Sequence, residues 1–165
     1  MIFVSVGTHE QPFDRLLREV DRLAGEGVLR SVFCQTGYSE YTPEHAEHAA
    51  MVGFAEMQQR LQGSQVVVSH GGPGTIAPVL AAGRPLVLVP RQHRFGEHVD
   101  DHQVAFCRRL GRERGLLVVE DITDLDTAIA TAAQRQPGLD TAQRRPEAAV
   151  LELGRRIEAL TARRT

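Results

Sequence analysis

Short β-branched apolar runs alternate with longer amphipathic runs along this chain, and that alternation restricts the possible folds more than any other property. Residues 2–6, 28–35, 66–69, 86–89 and 116–120 read as strands, with a shorter one over 50–52. Phe13, Leu16, Leu17, Val20 and Leu23 recur at helical spacing, and further helices are expected over 55–61, 75–82 and 98–112. Thr123 and Asp126 stand at capping-box spacing. Pro146 suits the first turn of a last helix over 146–163, whose stripe is Val150, Leu153, Ile157 and Leu160. The pattern predicts an α/β domain, a Rossmann-like parallel sheet with helices on both faces and right-handed crossovers. Ligands bind such sheets beyond the carboxyl ends of strands, where strand order reverses.

With 165 residues the chain fits a single domain, able to bury roughly 70% of the surface that it exposes when unfolded. Its net charge of −2 gives no reason to expect a nucleic-acid partner. All 19 basic residues are arginine, so Schiff-base and P-loop lysine chemistry is excluded. Cys34 and Cys107 lie in apolar contexts without CxxC spacing and read as reduced core residues. The first residues lack the basic leader of a signal peptide, and no apolar run approaches the ~20 residues that cross a bilayer. The expectation is a soluble cytoplasmic protein, carried to a membrane only by another molecule.

The loops after the expected strands hold the unusual residues. Chief among them is Ser69-His70-Gly71-Gly72-Pro73-Gly74-Thr75, between the apolar run Val66-Val67-Val68 and a helix. Unpaired N–H groups and the positive dipole end at a helix N-terminus attract phosphate. Glycines let anionic oxygens approach the backbone, and His70 and the Thr75 hydroxyl can add hydrogen bonds. A tight strand-to-helix turn that merely needs glycine is the alternative. No Gly-Lys-Ser/Thr follows, so the stretch is not a P-loop, and its glycine spacing is not the dinucleotide fingerprint.

Val68-Ser69-His70-Gly71-Gly72-Pro73-Gly74-Thr75-Ile76, with Ala81-Ala82-Gly83-Arg84-Pro85-Leu86-Val87-Leu88-Val89-Pro90, resembles the donor-binding half of GT-B glycosyltransferases. The nearest likeness is to the C-terminal domain of glycosyltransferase family 28, the MurG-like half. Ile2-Phe3-Val4-Ser5-Val6-Gly7-Thr8-His9 and the segment Arg91-Gln92-His93-Arg94-Phe95-Gly96-Glu97-His98-Val99-Asp100-Asp101-His102-Gln103 sharpen it. They are similar to the small soluble subunits of two-piece enzymes in this family, in eukaryotic lipid-linked oligosaccharide synthesis and, as PssE-type subunits, in bacterial exopolysaccharide assembly. The resemblance covers most of residues 1–120. It implies that Gly7 and Thr8 face the donor diphosphate and that His70, Gly71, Gly72, Gly74 and Thr75 form the phosphate cradle. It implies further that backbone groups at Phe54 and Ala55 read the uracil, that His102 and Gln103 hold sugar hydroxyls, and that Gln35-Thr36-Gly37 lines the cleft.

Pro78 departs from the family, which usually has an acidic residue there, bonded to the ribose hydroxyls. Counted from Thr75 as N-cap, Pro78 falls in the first helical turn, where its missing N–H costs nothing. The ribose contact is lost. Either the donor is held by other groups or the site has degenerated.

His98 and His102 stand four apart with Glu97, Asp100 and Asp101 alongside, which invites a metal. The sequence places no third ligand and GT-B enzymes generally need no metal, so no cofactor is expected. Asp124-Leu125-Asp126 imitates a metal-binding Asp-x-Asp, but its position favours helix capping. Arg91 and Arg94 could reach a donor phosphate or a uronic-acid substituent, contact a partner chain, or lie solvated at the surface. His9 is a candidate acid or base, with loop packing as its other reading. Arg144, Arg145, Arg155, Arg156, Arg163 and Arg164 suit a solvated helix face more than anionic lipid.

Taken with the resemblance, the chain is expected to be the UDP-sugar-binding subunit of an inverting glycosyltransferase, active with a membrane-associated partner that binds a lipid-linked acceptor and carries the base. The stripe of the last helix is ordinarily core, with docking on that partner as the reading that the resemblance adds, and a homodimer is the alternative in isolation. A non-catalytic scaffold with a decayed site, or a nucleotide-binding domain unrelated to sugar transfer, are the other readings.

Overall fold

The structure, a computed structural model, describes residues 1–135. The expected last helix over 146–163 and its arginines lie outside the described residues. Among the described residues six parallel strands form one sheet: β1 (Ile2–Ser5), β2 (Val32–Gln35), β3 (Glu47–Ala49), β4 (Val66–Ser69), β5 (Leu86–Leu88) and β6 (Leu117–Val118). Helices α1 (Asp14–Gly25), α2 (Phe54–Gly63), α3 (Pro73–Ala81), α4 (His102–Arg114) and α5 (Leu125–Ala133) alternate with these strands. The strand order is β3-β2-β1-β4-β5-β6, so the order reverses between β1 and β4.

Alternation within the strands builds two cores. Ile2, Val4, Val66 and Val68 project to one face, against Leu16, Leu17, Val20 and Leu23 of α1 and Leu125 and Ile129 of α5. Phe3 and Val67 project to the other, against Leu61 of α2, Ile76 and Val79 of α3, and Phe106 and Leu110 of α4. Every residue of β1 and β4 is buried, as strands covered on both faces require. Cys34 and Cys107 are free and buried, and burial pushes both thiols up to about 12.

Four local expectations are corrected. Residues 28–31 are not strand: Val28 and Leu29 N–H both donate to the Leu23 carbonyl, closing α1 through Gly27 at φ 74°, and Val28 is exposed. The short strand sits at Glu47–Ala49, ahead of 50–52, because pairing with β2 sets its register at this sheet edge. Thr123 and Asp126 form no capping box: Asp121 accepts from the Thr123 N–H at 3.1 Å and hydroxyl at 2.8 Å, capping a 3₁₀ turn ahead of α5. The fourth helix begins at His102, after a 3₁₀ turn over His93–Phe95 and a bend.

Candidate functional site

A cleft of about 1150 Å³ opens at the carboxyl ends of β1, β2 and β4, at the reversal of strand order. Gly7, Thr8, His9, His70, Gly72, Gly74, Thr75, His102 and Gln103 all line it, although they come from three separate segments of the chain. Met51, Val52 and Met57 form an apolar wall that sequence reasoning did not single out.

One wall begins at Gly7, whose φ of 78° is left-handed. Gln35 fixes this turn: its Oε1 accepts from the Ser5 hydroxyl at 2.8 Å and the Gly7 N–H at 3.2 Å, while its Nε2 donates to the Gly7 carbonyl at 3.0 Å. Gln35 therefore both lines the cleft and braces it; Thr36 and Gly37 do not line it.

The opposite wall is the start of α3. Its N-cap is Gly72, not Thr75, with Pro73 in the first position. Thr75 and Ile76 N–H both donate to the Gly72 carbonyl at 3.1 Å. Among the first helical positions, Pro73 has no N–H to offer, which leaves the Gly74 N–H without a partner in the helix. Pro78 consequently lies inside α3 rather than in its first turn, and a bond from position 78 to the Gly74 carbonyl cannot form.

His70 joins the two walls. Its ring fills the space at which side chains on Gly7 or Gly72 would point, and either Cβ would collide with it. Burial, then the charge of Arg91, lowers the His70 pKa to about 3, so the imidazole is neutral. Its Nδ1 is buried without a hydrogen-bond partner. His70 thus lines the cleft as a neutral ring, not as a cation. Gly71 does not line the cleft: a side chain there would strike Cys107 Sγ and Gln103 of α4, so its role is close helix packing.

Phe54 and Ala55 also stay off the cleft lining, and Phe54 is 82% exposed. They occupy the first two positions of α2 after the N-cap Gly53, where backbone N–H groups lack helical partners. Val52 and Met57 beside them reach the cleft.

Arg91 does not reach a donor phosphate. It is fully buried, and its guanidinium donates to the carbonyls of Val6 (2.9 Å), Gln11 (2.6 Å) and Glu97 (3.1 Å). Burial lowers its pKa to about 10, opposed by Glu97, so it stays charged at neutral pH. Its backbone N–H donates to Gln103 Oε1 at 3.2 Å, placing Gln103 at the cleft. Arg94 is exposed and donates to Gln92 Oε1 at 2.8 Å. Glu97 pairs with Arg15 at 2.8 Å.

His9 is half-buried, hydrogen-bonded to Gln11 Oε1 at 3.0 Å and stacked on His98 with centroids 4.5 Å apart. Its loop packing is thus in place, and it also lines the cleft. His102 Nδ1 donates to Asp100 Oδ1. Burial raises the Asp100 pKa, but the backbone and imidazole of His102 outweigh it and leave the carboxyl lowered.

Comparison with known proteins matches this chain to a family. The glycosyltransferase family 28 C-terminal domain matches residues 1–153. The UDP-N-acetylglucosamine--N-acetylmuramyl-(pentapeptide) pyrophosphoryl-undecaprenol N-acetylglucosamine transferase of Opitutus terrae is 33% identical over 117 residues, covering 65% of this chain and 29% of that enzyme. The enzyme of the same name from Pseudomonas putida is 29% identical over 133 residues, covering 76% and 35%. The chain therefore spans about a third of the length of these curated relatives. Among solved structures, the glycotransferase of kitacinnamycin superposes with a TM-score of 0.63 at 20% identity, over 98% of this chain and 42% of that one. Acinetobacter baumannii MurG superposes at 0.57 and 18% identity, over 94% and 49%.

Proposed function

The chain belongs to glycosyltransferase family 28 by its match to the family's C-terminal domain, and from that premise we propose that it binds a UDP-sugar as the donor-binding, catalytic subunit of a two-component inverting glycosyltransferase. The acceptor is a hydroxyl of a lipid-linked saccharide in polysaccharide synthesis, presented by a membrane-associated partner. Among the described residues no helix is long and apolar enough to cross a membrane. The partner brings the domain to the inner face of the cell membrane.

The observation that carries this reading is the convergence of the Gly7 turn and the N-terminus of α3 on one cleft at the strand-order reversal. The acceptor hydroxyl attacks the anomeric carbon opposite the diphosphate, the carbon–oxygen bond to the diphosphate breaks, and UDP leaves. Charge grows on the departing diphosphate. The Gly74 N–H, the Thr75 hydroxyl and the positive end of α3 are fixed to meet it without reorganising. His102 and Gln103 hold the sugar, and backbone groups at Phe54 and Ala55 meet the uracil beside the apolar wall of Val52 and Met57. The base that accepts the acceptor's proton belongs to the partner.

Pro78 favours a second reading, a scaffold subunit with a decayed donor site, because no carboxylate stands at that position. Calorimetric titration with UDP and several UDP-sugars separates the two. Saturable binding that weakens on Thr75→Ala supports the donor site. Absence of binding, with the partner present as well, supports the scaffold.

A further inference from the structure

Two imidazoles and a carboxylate converge on the cleft from the bend between β5 and α4 and the first residue of α4. The ligand atoms of His98, Asp100 and His102 lie within 4.8 Å of one another, and all three residues line the cleft. Hydrogen bonding accounts for two of them: Asp100 Oδ1 accepts from the His102 N–H at 3.0 Å and from its Nδ1. It does not account for the third. His98 is 9% exposed, and its Nδ1 is buried without a hydrogen-bond partner, 3.5 Å from the same Asp100 oxygen.

The neighbouring carboxylates are committed elsewhere. Glu97 pairs with Arg15, and Asp101 accepts from the His93 N–H at 2.8 Å. The ring planes are fixed: His9 stacks on His98 at 23°, and His102 meets His98 edge-on at 82°. A buried imidazole nitrogen without a hydrogen-bond partner, 3.5 Å from a carboxylate oxygen that already faces a second imidazole, is a ligand arrangement rather than a packing one. Two nitrogens and one carboxylate oxygen, with the remaining side open, suit a borderline cation of the zinc type.

We propose that His98, Asp100 and His102 form a binding site for a divalent cation of the zinc type, with its open coordination position facing the cleft. The sequence could not place this third ligand because it reads residues 98–102 as one helix. The bend before α4 instead brings Asp100 between the two histidines. Occupancy reverses the polarity of His102. With Nδ1 donating to Asp100, the neutral ring leaves Nε2 as an acceptor; with Nδ1 on the cation, Nε2 carries the proton and donates. The proposal stands independently of whether a UDP-sugar is the cleft's ligand.

The test is titration of chelator-treated protein with Co²⁺, followed by visible absorption, then displacement with Zn²⁺. The expected result is one saturable site per chain with ligand-field bands that Zn²⁺ abolishes. Asp100→Asn, whose side chain is partly exposed, should weaken Co²⁺ binding at least tenfold with an unchanged far-ultraviolet dichroism spectrum, and His98→Ala should do the same. The exposed pair His45→Ala/His48→Ala should leave binding intact. No saturable band, a band that survives Asp100→Asn, or one lost with His45 and His48 overturns the site.

Discussion

Gly7 and His70 occupy one another's space: the glycine's missing side chain is the room in which the histidine ring sits. The contact joins the turn after β1 to the turn after β4, the two strands between which the sheet order reverses. The cleft's geometry depends on that junction, and the predictions below start from it.

Gly7→Ala meets two obstacles, a φ of 78° and the His70 ring. Left-handed strain and overpacking together should cost about 3 kcal/mol. Urea denaturation measures the loss, and calorimetry should show UDP affinity falling with it. A variant of unchanged stability would mean that the junction yields easily.

Arg91→Lys keeps the charge but cannot span the Val6, Gln11 and Glu97 carbonyls, which one planar fork reaches together. Stranding those acceptors should cost about 3 kcal/mol. Because Arg91 also sets Gln103 through its backbone, the lysine variant should lower the midpoint of denaturation while leaving the cleft's ligand specificity unchanged. Comparison of several UDP-sugars by calorimetry checks the second part.

Two buried groups give acid sensitivity in separate windows. Burial holds the His70 pKa at about 3, against about 6.5 in an unfolded chain. The unfolded state therefore binds the proton first, and stability present above about pH 6.5 is lost as pH falls toward 3. Asp21 is lowered to about 2: burial opposes the shift, but the Glu44 and His45 N–H groups, then Tyr41 and the His45 side chain, outweigh it. Its contribution is present above about pH 4 and lost as pH falls through 2. Nuclear magnetic resonance of the imidazoles should show His70 neutral at pH 5, and Asp21→Asn should remove the lower window from a pH series of denaturation curves. Protonation of His70 above pH 6 would contradict its burial.

Pro78→Glu should act on stability and on binding. It restores the N–H that α3 lacks at that position, a gain of up to about 3 kcal/mol in a helix interior. It also supplies the carboxylate that the family usually carries, and a recovered charged hydrogen bond should tighten UDP binding about tenfold. Higher thermal stability with weaker UDP binding would show that another group already fills the ribose position.

The order and type of the central elements were legible in the sequence because they rest on local pattern. Val66-Val67-Val68 is short, β-branched and apolar on both faces, as an inner strand requires, and the glycines after it mark a break before the next helix. The cleft's Gly7 and His70–Thr75 loops followed from placing loops at strand ends, whereas His102 and Gln103 came only from the family resemblance. The sequence alone thus determined the α/β class, the glycine-rich junction and the family that the chain resembles. Tertiary structure decided which role each glycine has: Gly7 and Gly72 make room for His70, whereas Gly71 makes room for α4. It also buried Arg91 as a brace for two loops and bent residues 98–101 so that Asp100 meets His98 and His102. These outcomes depend on partners up to 85 residues apart, and a one-dimensional pattern carries no record of contacts made across the sheet.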